Sequence, residues 1–250
     1  MNTDLFALAL RLGDDALVLG HRLSEWSGKA PILEEDIALS NLGLDLIGQA
    51  RLFYTLAGEI EGRGRDEDQL AYFRDDRQYT NCLLVELPIG DFAFTMGRQL
   101  VYAAFMRPYF AALAASPDTH FAEIAAKSVK EMTYHLRHSA EWVIRLGDGT
   151  DLSRERMAAA IDEVWAYTGE LFEMDAGERA LLTGGIAPDR QAIHAQWRST
   201  IADVLRQATL NIPPDRHMQR GGREGRHTEH LGHMLAEMQV LARQHPGARW

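Results

Sequence analysis

Cysteine is nearly missing from this chain: Cys82 is the single one among 250 residues. No intrachain disulfide forms, and a cysteine-rich zinc site is excluded. Long apolar runs are also missing, and no stretch approaches the ~20 residues that span a bilayer. The segment from Met1 to Gly20 carries acids at Asp4, Asp14 and Asp15 and has no basic segment ahead of an apolar run, so it does not read as a signal peptide. The chain reads as soluble and cytoplasmic. Positive charge is in deficit, with a formal charge of -10 and a pI near 5.5. That is the wrong sign for a partner of nucleic acid or of an anionic membrane surface, because phosphate neutralisation dominates such binding. There is no internal repeat, no low-complexity tract and no convincing period-two alternation, so no strand is expected. Without strands, and with no Gly-x-Ser-x-Gly elbow, the fold of a serine hydrolase has no support.

What is present is helical periodicity. Leu5, Leu8, Leu12, Ala16, Leu19, Leu23 and Trp26 recur at spacings of three and four and draw one stripe on a helix ending near Gly28. Pro31 and the acids Glu34, Glu35 and Asp36 open a second helix, with a stripe from Leu39 to Ile60. After Pro88 comes a segment that is apolar almost all round, which belongs in the centre of a bundle. Ser116-Pro117-Asp118 opens a fourth helix that runs to Leu146. A fifth is expected over about Arg154 to Phe172, a sixth over about Arg190 to Thr209, and a last one over about Thr228 to Gln244. The hydrophobic set makes up 46% of the chain and charged residues 25%, enough for one large core. The expectation is an all-α, long-helix bundle forming a single domain over 1–250, with 1–150 as core bundle and 151–250 as accessory helices and a C-terminal arm.

Long helices rich in carboxylates raise the question of a dinuclear metal site, which takes a Glu from each of two helices and a Glu-x-x-His pair from each of two others. Residues three apart share a helix face, so both side chains reach one metal pair. Of the ten histidines, only His227 has an acid three residues earlier, Glu224, and it sits among glycines. On the fourth helix the expected core stripe is Val129, Met132, Leu136, Ser139 and Val143, with His135 beside it. Met132 stands where a Glu is needed. Glu131 is one step round, about 100° away, on a face with His138 that reads as solvated or as an interface. On the second helix Gly48 stands where a His is needed after Asp45. These four positions, Asp45, Gly48, Met132 and His135, read as vestiges. Removing ligands also removes the repulsion among unmetallated carboxylates, and Asp45 is expected to be satisfied by His135 or Gln49. A displaced ligand set of Asp45, Glu131 and His135 in an independent di-iron oxidoreductase is the alternative, and an iron-storage shell a third reading.

Other clusters have plainer readings. His227, Glu229, His230 and His233 crowd the start of the last helix, where a capped, hydrated helix start competes with a metal or partner contact. Arg216, Arg220, Arg223 and Arg226 lie among glycines. They suggest either a cradle for the phosphates of CoA or an exposed loop or arm on a partner, and the phosphate-loop motif is lacking. Glu86 and Asp91 border the third long helix as capping acids or as relics of a ligand position.

Four stretches carry a resemblance: Ser40 to Arg51, Lys130 to Arg137, Arg145 to Thr150, and His227 to Gly232. In combination they resemble the C-subunit family of the ring-1,2-phenylacetyl-CoA epoxidase, and the likeness extends over nearly the whole chain. The resemblance implies a ferritin-like four-helix bundle with additional C-terminal helices, acting in aerobic phenylacetate degradation as a structural, non-catalytic subunit. It implies no cofactor in this chain. A homologous catalytic subunit holds the di-iron centre, a reductase subunit with flavin and iron–sulfur groups passes electrons from NADPH, and the complex also includes a small subunit. By the same resemblance, the catalytic subunit's Glu-x-x-His falls on Met132 and His135. Trp165, Tyr167, Phe172, Arg223, Arg226 and His230 are the candidates for partner contact.

Overall fold

The computed structural model describes residues 2–214 and 216–248. Met1, Asp215, Arg249 and Trp250, which belong to the expected 1–250 domain, lie outside the described residues. Ten α-helices follow in chain order: α1 Thr3–Ser24, α2 Leu33–Glu61, α3 Glu67–Tyr72, α4 Leu83–Glu86, α5 Phe92–Leu113, α6 Thr119–Gly147, α7 Asp151–Trp165, α8 Ala176–Thr183, α9 Arg190–Gln207 and α10 Glu229–Gln244. No strand occurs among the described residues.

The helix starts obey local chemistry. Asn2, Asp91, Asp118 and Asp189 each turn a side-chain oxygen onto first-turn amides of α1, α5, α6 and α9, satisfying donors that lack a helical partner. Asp91 thus fills the capping role, one of the two readings expected for it. Gly62 ends α2 in the left-handed region at φ 68°, which costs a glycine little.

α1, α2, α5 and α6 form the bundle. α1 and α2 run antiparallel and very close. A Cβ on Gly13 would come within 2.6 Å of the Tyr54 ring, and one on Gly20 within 3.2 Å of the Gly43 carbonyl oxygen. Along α6, Glu35 of α2 meets His138, Gln49 meets Glu131, and Phe53 lies against Phe121, so α2 and α6 are antiparallel. Phe92 of α5 meets Trp142 and Gln99 meets His135, so α5 and α6 are antiparallel too. α2 and α5 consequently run the same way, and the connection between them, carrying α3 and α4, must travel the length of the bundle. One long crossover of this kind is the ferritin-like arrangement.

Every residue of α5 from Ala93 to Phe110 is buried except Arg107, as its missing polar face requires. The bundle covers one side, and α7 and α9 cover the other: Trp197 donates its indole N–H to the Val101 carbonyl at 2.9 Å and packs on Trp165 with ring centroids 5.4 Å apart. Each large apolar side chain buried this way contributes roughly 1.5–3 kcal/mol. The fifth expected helix is shorter than its pattern. α7 stops at Trp165, and Gly169–Phe172 forms a separate 3-10 turn, with the Thr168 hydroxyl donating to the Trp165 carbonyl. The short helices α3, α4 and α8 had no sequence signal, because at four to eight residues periodicity is unreadable. Among the described residues no helix is long and apolar enough to cross a membrane.

Candidate functional site

The buried face of α6 runs Phe121, Ala125, Ser128, Met132, His135, Ser139, Val143, Gly147. His135 is therefore in the stripe and fully buried, whereas Val129 and Leu136, expected in the core, flank it half-buried. Ser128 joins Ser139 in the stripe because both hydroxyls are satisfied within the helix: Ser128 donates to the Ile124 carbonyl and Ser139 to the His135 carbonyl, at 2.9 and 2.8 Å. A hydroxyl spent on its own helix costs little to bury.

His135 bridges two helices. Its Nε2 lies 3.3 Å from Asp45 Oδ2 on α2, and its Nδ1 lies 3.0 Å from Gln99 Nε2 on α5. An amide N–H only donates, so with this amide orientation Nδ1 accepts and the ring proton sits on Nε2, directed at Asp45. Asp45 is half-buried, and His135 is the partner expected for it. Gln49, the other expected partner, instead donates to Glu131 at 2.8 Å. Met132 is fully buried beside His135. A side chain added at Gly48 would lean toward Lys127, whose Nζ lies 4.0 Å from the Cβ position.

The face expected to be solvated or an interface is only partly wet, because Glu131 and His138 are turned toward α2 while Tyr134 stays exposed. His138 Nε2 meets Glu35 at 2.8 Å, with both side chains about 10% exposed, and Glu131 takes the Gln49 amide together with Lys127 at 3.4 Å. Glu131 and His138 thus close the seam between α2 and α6. The displaced set Asp45, Glu131 and His135 is not assembled around a common point, since Glu131 is already held by an amide and an ammonium group. Two iron ions need several carboxylates and two imidazoles converging on them. The interior here offers one imidazole, one half-exposed carboxylate, a thioether and a glutamine amide. These residues do not fit a dinuclear centre, and among the described residues no group of three or more His, Cys, Asp or Glu side chains is placed to hold a metal ion.

Charge is concentrated elsewhere, in networks that sequence reasoning missed. Asp14 and Asp15 on α1 are fully buried. Asp14 takes Arg74, the Tyr54 hydroxyl and the Thr80 amide. Asp15 takes the Cys82 amide and Arg223, the latter at 2.7 and 2.9 Å. Burial alone would lower the pKa of both arginines, but the facing carboxylates outweigh it and both rise above the ordinary value. Burial and the Asp15 charge push the Cys82 thiol well up, so it is inert as a nucleophile. Glu178 joins Arg11 and Arg190 at 2.8 and 2.5 Å. The readable signal was the pair Asp14-Asp15 inside the apolar stripe of α1, where an unpaired acid would be too costly to keep.

Arg216 pairs with Asp162, Arg220 with Glu173, Arg223 with Asp15 and Arg226 with Glu224, so each guanidinium already has a carboxylate of this chain. Three of the expected partner contacts are also internal. Trp165 and Phe172 pack into an aromatic cluster with Trp197, His194 and Phe105, and Arg223, its side chain 11% exposed, is paired with Asp15. Their apolar and charged surfaces are met by α9 and α1, which periodicity along one helix does not reveal. Tyr167 is half-buried, His230 is half-exposed and Arg226 is exposed. At the start of α10 the histidines diverge: His227 points inward to Glu86, while the His230 carbonyl accepts from Arg22. Glu86, expected as a cap or relic, is a fully buried acceptor.

With this geometry in view, the comparisons with known proteins are specific. The family model described as "Phenylacetic acid catabolic protein" matches residues 1–250. The chain is 50% identical over 246 residues to the C subunit of the 1,2-phenylacetyl-CoA epoxidase of Escherichia coli (strain K12), a match that covers 98% of this chain and 99% of that protein.

Proposed function

Because the chain belongs to the phenylacetic acid catabolic protein family, we propose that it is the structural, non-catalytic subunit of a multicomponent phenylacetyl-CoA epoxidase in aerobic phenylacetate catabolism. In this reading residues 1–250 act as one cytoplasmic domain that stabilises a homologous di-iron subunit. The iron sits in that partner, NADPH, flavin and iron–sulfur chemistry belong to a reductase subunit, and the assembly also includes a small subunit. The observation that carries the reading is the composition of the α2–α5–α6 interior: Met132, Gln99 and one imidazole stand where a dinuclear site needs converging carboxylates.

A face for the partner is available on α2. Leu33, Ile37 and Leu44 are 72%, 53% and 65% exposed and share its outer side. Exposed apolar residues in register on one helix are the usual mark of a covered surface, and an obligate pair buries more than ~2,000 Å² in all. His230 and Arg226 remain as peripheral contacts in this reading.

Co-expression with the catalytic subunit tests it. The two chains are expected to co-elute, and this chain alone is expected to carry far less than one iron per molecule by elemental analysis. Two irons per isolated chain would instead establish the independent oxidoreductase. Leu44→Arg is expected to abolish co-elution while leaving the helical content and unfolding midpoint of the isolated chain unchanged.

A further inference from the structure

The arm between α9 and α10 crosses directly over the chain's one cysteine. The amides of Gly221 and Gly222 donate to Glu170 Oε1 at 2.7 and 2.9 Å, and Gly222 packs so tightly on the backbone of Asn81 and Leu83 that a Cβ would come within 2.3 Å of the Asn81 carbonyl oxygen. Arg223 reaches beneath to Asp15. His227 then closes the arm against α4. Its Nδ1 lies 2.7 Å from Glu86 Oε2 and its Nε2 lies 2.9 Å from the Tyr79 carbonyl oxygen.

Both partners of His227 are acceptors. The Tyr79 carbonyl has no proton to give, and both carboxylate oxygens of Glu86 already accept, Oε2 from Asn81 Nδ2 at 2.8 Å and Oε1 from the Thr228 amide at 2.6 Å. A neutral imidazole has one N–H and one lone pair, so it satisfies only one of the two contacts and aims its lone pair at an acceptor in the other. The imidazolium satisfies both.

We propose that His227 is a proton-dependent latch: its protonated ring holds the 216–228 arm closed over the Asp15–Cys82–Glu170 cluster, and loss of that proton frees the arm. The other charged and titratable groups facing this point are consistent with a cation there. Asp14 of α1 contributes negative potential. Arg22 of α1 is directed at the carbonyl oxygens of Glu86 and His230 and not at the Glu86 carboxylate. Arg74 and Arg223 are occupied by Asp14 and Asp15, and the Tyr167 hydroxyl is close enough to feel Glu86. Burial works against the charged ring, but the hydrogen bond and charge of Glu86, followed by the Tyr79 carbonyl, outweigh it, and the pKa of His227 is raised above its usual 6.5. The sign follows. The latch is fully engaged below the pKa of the unfolded chain, near 6.5, and its contribution is lost as pH rises through the higher folded value. This inference does not rest on the assignment to an epoxidase.

Cys82 is a built-in reporter, because it is the only thiol and is fully buried beneath the arm. The experiment follows its alkylation by iodoacetamide in the full chain from pH 6 to 9, beside His227→Gln at each pH, so that the ordinary ionisation of a thiol cancels in the ratio. At pH 6 the variant is expected to label several-fold faster than the wild type, and the ratio is expected to fall toward one as pH rises. Equal rates across the whole range, or a ratio independent of pH, overturn the proposal. The ring state is read separately on the wild type by ¹H–¹⁵N correlation, which needs no variant to fold: two ring N–H signals for His227 at pH 6 are expected, and a single one overturns it.

Discussion

Two buried polar regions share this bundle. On α1, Asp14 and Asp15 are fully enclosed, and each meets an arginine plus further donors drawn from the crossover and the C-terminal arm. On α6, His135 is equally enclosed but meets one amide and one half-exposed carboxylate. The first region retains full charges because Arg74, Arg223 and several N–H or O–H groups surround the carboxylates, offsetting the cost of removing ions from water. The second holds little charge: Met132 is a buried thioether, Gln99 supplies a neutral partner, and Ser128 and Ser139 spend their hydroxyls on their own helix.

This contrast can be broken most sharply at Asp14. Asp14→Ala leaves Arg74 buried without its carboxylate and takes the acceptor away from Tyr54 and Thr80; a loss of about 3–5 kcal/mol in urea unfolding is expected. A loss under 1 kcal/mol would mean that the α1 network is no more committed than the α6 one. Next in size, Met132→Glu places a carboxyl group in the neutral interior without the rest of a metal site. A loss of about 1–3 kcal/mol is expected, against less than ~1.5 kcal/mol for Met132→Leu; equal costs would show that volume and not charge governs the position. A smaller effect concerns pH. Burial holds the pKa of His21 below its usual value, so the unfolded chain takes up this proton first and stability falls as pH drops below about 6.5. That is opposite in direction to His227, and His21→Gln is expected to flatten the acid side of the stability curve while leaving the alkaline side intact. The least effect belongs to Asp203→Ala, which removes an exposed pair with Arg206 at 3.4 Å and should change stability by less than ~0.5 kcal/mol.

Much of the scaffold was readable from local pattern. The apolar stripes located the four bundle helices to within a few residues, the all-apolar segment after Pro88 went to the centre, and Asp118 with Gly147 bounded α6. The Asp45–His135 pairing was also foreseeable, because a half-buried acid on one stripe needs a donor on another. What failed involved a second element. Trp165 and Phe172 read as a free aromatic surface until α9 is laid over them. Arg223 read as a loop cation, and it is the partner of a buried aspartate 208 positions away. Glu131 and His138 read equally as a wet face or an interface, because the closing residues, Gln49 and Glu35, lie on α2.

Periodicity, capping and the missing Glu-x-x-His pairs are properties of one chain segment at a time, so the amino-acid order alone determined the helices, the all-α class and the poverty of metal ligands. Which buried charge meets which counter-charge depends on how distant segments converge, and one sequence carries no trace of that convergence. Only the packed structure decided that the C-terminal arm lies locked onto α1 and α4, since an ion pair or a two-acceptor histidine exists only once the long crossover has brought its partners within about 3 Å.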